Sequence, residues 1–179
     1  MSDKKTKSPA APQIITSSPS TDLNLLPPQV ARIRARILEA CRSGDIEKLR
    51  SPIEWNELYP MFDHGGKDTK GPDHMVPGAD PVEFLKSQSF DKKGFEILRI
   101  LTGVFESPFL EVKQGSYVSY VWPAFAFVAA PPPEAEEQAR RWRCVRFADL
   151  AKSGADGQPL YWRANIGADG TWHYFWPGI

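Results

Sequence analysis

The chain of 179 residues sets 22 Lys plus Arg against 22 Asp plus Glu, for a formal net charge of +0 with histidine neutral, and its pI is about 6.8. That balance excludes a chain that holds nucleic acid mainly through bulk positive charge. A hydrophobic share of 41%, with no apolar run near the roughly 20 residues of a membrane helix, predicts a soluble globular chain with no membrane insertion.

The length fits one domain able to bury an adequate core. Cys41 and Cys144 lie far apart, without CxxC spacing or neighbouring His and Cys, so they read as two independent buried thiols. The start MSDKKTKSPAAPQIITSSPSTDLNLL is basic but has no apolar core of the roughly 7–15 residues a secretory signal carries. As written, the chain is expected in the cytoplasm; an envelope location follows if the start codon is misassigned.

Residues 1–26 are rich in Ser, Thr, Pro and Lys and lack apolar periodicity, so they read as a disordered tail ahead of a single domain over 27–179. Pro27-Pro28 then opens an amphipathic helix, with Val30, Ile33, Ile37, Leu38 and Cys41 at helical spacing and Gly44 as its stop. Asp45 is an N-cap for a short second helix, Ile46 to Arg50, expected to end at Pro52. Residues 63–80, with four Gly and two Pro, form a long loop of the kind that is either functional or disordered.

Asp80 before Pro81, with Glu83 three residues on, makes a capping-box-like start for a helix to about Ser87. Phe95, Leu98, Ile100, Leu101, Val104 and Phe105 mark a strongly apolar helix closed by Ser107-Pro108, the expected centre of the core. From there the period changes. Phe109–Gln114 and Tyr117–Val128 read as a hairpin turned at Gly115-Ser116, followed by a polar helix over Glu134–Arg143 and a short helix or turn over Phe147–Ser153. The ending LYWRANIGADGTWHYFW is an aromatic hairpin turned at Gly167-Ala168-Asp169-Gly170. The composite is α+β: N-terminal helices packed on a C-terminal, mainly antiparallel sheet of about four strands.

Strict alternation would place Tyr161, Arg163 and Asn165 on one face of the terminal hairpin, and Trp172, Tyr174 and Trp176 together on one face of its second strand, opposite His173 and Phe175. More aromatic surface is present than one buried face needs. Tyr161, Arg163, Trp172, Tyr174 and Trp176 are therefore the candidate binding residues, for an apolar or sugar-like ligand. His173 is a candidate general base if a carboxylate orients its ring. Glu54 and Glu57, flanking Trp55, would share a helical face and form a carboxylate pair; the plainer reading has them capping a helix or pairing with Arg50.

His64 and His74, in the Asp-rich loop, match no fixed ligand spacing, so no metal site and no cofactor is expected. Arg32, Arg34, Arg36, Arg42 and Arg50 form one basic cluster, and Arg140, Arg141, Arg143 and Arg146 another. Glutamates are interleaved with both, as on ordinary helix surfaces. No GxxxxGK[ST], GxGxxG or GxSxG motif occurs.

The segments SGDIEKLRSPIEWNEL (43–58), DPVEFLKSQS (80–89), YVWPAFA (120–126) and YWRANIGADGTWHYFWPG (161–178) together resemble a family of uncharacterised bacterial proteins, over roughly residues 25–179. That resemblance implies no activity and no site residue. ACRSGDIEKL, from Ala40 to Leu49, also resembles the opening of the cystatin-like cone of nuclear-transport-factor-like proteins, which implies a curved sheet around an apolar pocket.

Three functions are expected in order. The first is a non-catalytic module binding a small molecule or a protein, but not nucleic acid. The second is an enzyme with a cone-like pocket and a carboxylate or His base. The third is an oligomerising structural module, a homodimer through the aromatic hairpin.

Overall fold

The computed structural model describes residues 13–64, 71–129 and 132–178. The architecture is α+β, a layer of helices against one face of a five-stranded antiparallel sheet. In chain order the elements are β1 (Ile14–Thr16), α1 (Pro28–Ser43), α2 (Arg50–Ile53), α3 (Pro81–Gln88), α4 (Phe95–Glu106), β2 (Leu110–Gln114), β3 (Tyr117–Trp122), α5 (Ala135–Trp142), β4 (Trp162–Gly167) and β5 (Trp172–Pro177). Spatial order in the sheet is β1-β2-β3-β4-β5.

Helix α1 forms where the sequence places it. Pro28 sits in its first turn, where a missing N–H costs nothing. Val30, Ile33, Ile37, Leu38 and Cys41 are buried, and Gly44, at φ +70°, ends the helix with its N–H donating to Cys41 O. The start of α4 is set by Asp91, whose carboxylate accepts from the N–H groups of Lys93, Phe95 and Glu96. Burial works against that charge, but the backbone donors win and hold the Asp91 carboxyl below its ordinary range. Asp80 caps α3 through Val82 and Glu83 N–H, while the Glu83 side chain turns to Lys86 instead of closing a reciprocal box.

Helices α1 and α4 cover the inner face of the sheet. Phe105 of α4 meets Trp122 edge-on at 5.3 Å between centroids and Trp172 at 6.5 Å, and Trp162 packs on Phe175 at 4.6 Å. Cys41 and Cys144 are free thiols in this core. Burial pushes them up to about 11 and about 12, so neither carries a reactive thiolate near neutrality.

Four expectations are corrected. Within the expected disordered tail, residues 14–16 pair with β2, Leu23–Leu25 form a 3₁₀ turn capped by Asp22, and Leu26 is buried in the core. Residues 1–12 lie outside the described residues. This N-terminal strand makes the sheet five-stranded. Pro52 does not end the second helical segment: Ile46–Leu49 is a 3₁₀ turn, and Pro52 lies inside α2, early enough that its missing N–H has no intrahelical partner to lose.

Strand β3 stops at Trp122 rather than Val128. Pro123 follows, and Ala124–Ala126 form a 3₁₀ turn that folds back over the outer sheet face, where Phe127 and Val128 pack on a small second apolar cluster of Leu110, Val121 and Ala124. The fourth correction concerns β5. The β4–β5 register slips between Asn165 and Ile166, so that Ile166 lies opposite Trp172 while Asn165 lies opposite Tyr174. The extra residue, His173, breaks the alternation. Trp172 and Phe175 therefore both face the core, and Tyr174 and Trp176 share the outer face.

Candidate functional site at the outer face of the terminal hairpin

The hairpin forms because Gly167 N–H donates to Thr171 O, Gly170 N–H donates to Gly167 O, and Asp169 accepts from Thr171 N–H. Gly170 takes φ +89°, a conformation most side chains avoid. Beyond this turn the bulge at His173 re-aims the strand and brings two rings into register. Tyr174 and Trp176 stack with centroids 4.1 Å apart and planes within 2°. The His64 ring lies 4.4 Å from Trp176 at 39°, and its Nε2 contacts Pro177 O at 2.5 Å.

Across the ladder, Arg163 sits opposite Trp176 and Asn165 opposite Tyr174. The Arg163 guanidinium lies 5.3 Å from the Phe127 ring centroid. Among the described residues it makes no ion pair. Its Nε and the Oδ1 of Asn165 are sealed from solvent with no hydrogen-bond partner, although Asn165 Nδ2 donates to Ser119 Oγ at 3.1 Å. Gly178 closes over this edge: a Cβ there would stand 3.2 Å from Arg163 Nη2. Burial pushes the Tyr174 phenol up, partly opposed by the Arg163 charge and by Asn165.

The arrangement joins a flat aromatic pair to a half-buried cation and an amide. A ring can stack on the first while an anionic or hydrogen-bonding substituent meets the others.

Of the five binding residues expected from sequence, Arg163, Tyr174 and Trp176 meet here. Tyr161 and Trp172 do not. Tyr161 is buried edge-on against Phe125 at 4.9 Å, and Trp172 is core, its indole N–H donating to Tyr174 O. Asn165 and Ser119 belong to the site without having been named as binding residues. Asn165 shares the Arg163 face and was legible by alternation, whereas Ser119 arrives only through strand pairing.

The expected catalytic residues are not assembled. Glu54 and Glu57 are exposed on the turn that follows α2, not on one helical face, because the helix has ended at Ile53. Asn56 ties that turn to Gly170 O at 3.4 Å. His173 lies beside the Tyr117 ring, with its Nε2 sealed and without a hydrogen-bond partner; burial lowers its pKa and the Asp169 charge opposes that. Its acidic neighbour is thus Asp169, and neither glutamate.

The two loop histidines diverge. His74 pairs with Asp63 at 2.7 Å while His64 turns to Trp176. Among the described residues, no three of His, Cys, Asp and Glu gather as a metal site would require. A hollow of about 840 Å³ is an open depression at the end of α1 lined by Arg36, Arg42, Lys48 and Arg50 with Glu39 and Glu47. Arg50 is already held by Glu47 and Asp80, each at 2.7 Å, and Arg36 lies over Trp55. The second arginine cluster is likewise absorbed, with Arg140 and Arg141 paired along α5, Arg143 on Glu106, and Arg146 on Asp149 and Asp73.

No family model, curated protein or solved structure matches this chain.

Proposed function

We propose that the chain is a non-catalytic binding module, and that the outer face of β4 and β5 takes a small ligand carrying a ring and an anionic group. One observation carries this reading: Arg163, half-buried beside the Tyr174–Trp176 stack, makes no ion pair among the described residues. Placing a guanidinium partly out of water costs free energy that a carboxylate normally offsets. Most other partly buried arginines meet oxygen acceptors, Arg146, Arg141 and Arg50 on carboxylates and Arg34 on the Phe105 carbonyl, while Arg36 lies over the Trp55 ring. An anionic ligand would complete Arg163 in the same way, and the stacked rings would supply apolar contact area.

The test is titration of the full chain with benzoate, indole acetate and glucuronate, followed by tryptophan fluorescence and thermal shift. Saturable binding is expected, lost in Arg163→Gln and weakened in Trp176→Ala, with both variants folded. A flat response to all three anions, or an affinity indifferent to Arg163→Gln, overturns the reading.

A further inference from the structure

A different part of the surface carries an independent feature. Phe90 and Phe147 are 68% and 65% exposed, yet their rings touch, with centroids 5.7 Å apart. Large aromatic side chains left this open are seldom also fixed in place. Here both backbones are fixed by one side chain. Glu96, in the first turn of α4 and only 4% exposed, accepts from Phe90 N–H through Oε2 at 2.7 Å and from Phe147 N–H through Oε1 at 2.5 Å. Ser89 Oγ accepts from Ile97 N–H, locking the first turn to α4.

Behind the second turn the buried Arg146 donates to Asp149, Asp73 and Gln88, and Arg99 donates to the carbonyls of Arg143 and Val145. Two loops from distant parts of the sequence are thus clamped so that two phenyl rings project as one knob, with Leu150 exposed beside Phe147 in the same turn.

The surrounding charges are sorted by depth. Three acids are drawn inward, Glu96 to the two N–H groups, Asp91 to the N-terminus of α4, and Asp149 to Arg146 and Lys152, while Asp73, more than half exposed, is held on Arg146. The exposed side chains on the same turns are cationic. They are Lys92 and Lys93 after Phe90, Arg99 one helical turn past Glu96, and Lys152 after Leu150.

We propose that this knob is a peripheral membrane contact, with Phe90 and Phe147 seated among the headgroups of an anionic phospholipid layer and the ring of cations held by its surface charge. The choice of occupant rests on shape and charge. A second copy meeting this face would bring like-charged lysines together. A linear peptide would need a cleft that encloses these rings, and both stand more than three-fifths exposed. A flat, negatively charged interface accepts a convex aromatic tip and rewards each nearby cation by roughly fivefold in binding.

The experiment is co-sedimentation of the full chain with vesicles of phosphatidylcholine alone and of phosphatidylcholine with one quarter phosphatidylglycerol, at low and physiological salt. Partition onto anionic vesicles is expected to be at least about tenfold stronger, and to fall with salt. Phe90→Ser and Phe147→Ser, both at exposed positions and checked for unchanged melting, should each reduce it several-fold. Lys92→Glu with Lys93→Glu should bring it to the level of neutral vesicles. Equal partition onto both vesicles, or serine variants that bind like the parent, overturns the proposal. So does a dimer in solution that Phe147→Ser dissociates, which assigns the knob to a second copy.

Discussion

Glu96→Gln keeps the shape of the side chain and removes its charge, which makes it the sharpest probe of the clamp between α4 and the turns at Phe90 and Phe147. In the parent both carboxylate oxygens accept from backbone N–H groups, at 2.7 and 2.5 Å. A glutamine has one accepting oxygen, so its NH₂ must face one of these donors. One hydrogen bond to a charged acceptor, about 1.5–3 kcal/mol, is lost and the other becomes a weaker neutral bond. Removing a charge that is 96% hidden from water returns part of this.

The balance is a destabilisation of about 2 kcal/mol, equivalent to roughly 4–8 °C in Tm for a domain of this size. Urea unfolding followed by tryptophan fluorescence should show a lower midpoint with an unchanged slope. Amide exchange should quicken at Phe90 and Phe147 ahead of the rest of the core. A stability within about 0.5 kcal/mol of the parent, with both amides still protected, would refute the clamp.

The bulge makes a paired forecast, in which Trp172→Ala empties a core site and costs about 3–5 kcal/mol while Trp176→Ala costs under about 1 kcal/mol; equal losses in chemical denaturation would restore strict alternation. Burial opposes the charge of Asp149, but Arg146 and Lys152 prevail and its folded pKa lies below the unfolded one. Its stabilisation is therefore complete above the unfolded value and lost as pH falls below about 4. Asp149→Asn should flatten that acid-side slope in pH-resolved melting, and an unchanged slope would count against the pairing. Burial lowers the His173 pKa against the pull of Asp169, so the fold favours the neutral ring and its contribution declines as pH falls below the unfolded value of about 6.5. NMR titration of the ring should give a pKa below that value, lower still in Asp169→Asn. Both cysteines should resist a thiol reagent until the chain unfolds; rapid labelling of the native protein would contradict their burial.

The helices were legible because local pattern and tertiary burial agree in them. Ile33, Ile37, Leu98 and Leu101 fall on the stripe that the sheet covers, and Gly44 and Asp80 are used as sequence chemistry requires. Strand β1 was not legible, since Ile14 and Ile15 stay exposed and its order comes from backbone pairing to residues about a hundred positions away. The faces of β5 were misassigned for a related reason. Trp172, Tyr174 and Trp176 alternate perfectly in the sequence, and aromatic residues fill both faces, so nothing local marks His173 as the inserted residue. At the candidate site Arg163, Tyr174 and Trp176 followed from strand periodicity, whereas the missing counter-charge is a fact of three-dimensional surroundings. Glu54 and Glu57 do not share a helical face because α2 ends at Ile53, immediately before Glu54.

The placement of β1 also bears on the order of assembly. Strands β2 with β3, and β4 with β5, close through short turns, and α1 to α4 build the layer beneath them. Strand β1, first to be synthesised, has nowhere to dock until β2 exists, and closing the intervening span has an entropic cost that its few apolar contacts barely offset. It is thus the last strand to join and the first to peel away, a local opening far cheaper than global unfolding. In hydrogen exchange the Ile15 amide should report that release while the amides of β4 still wait for the whole domain to open.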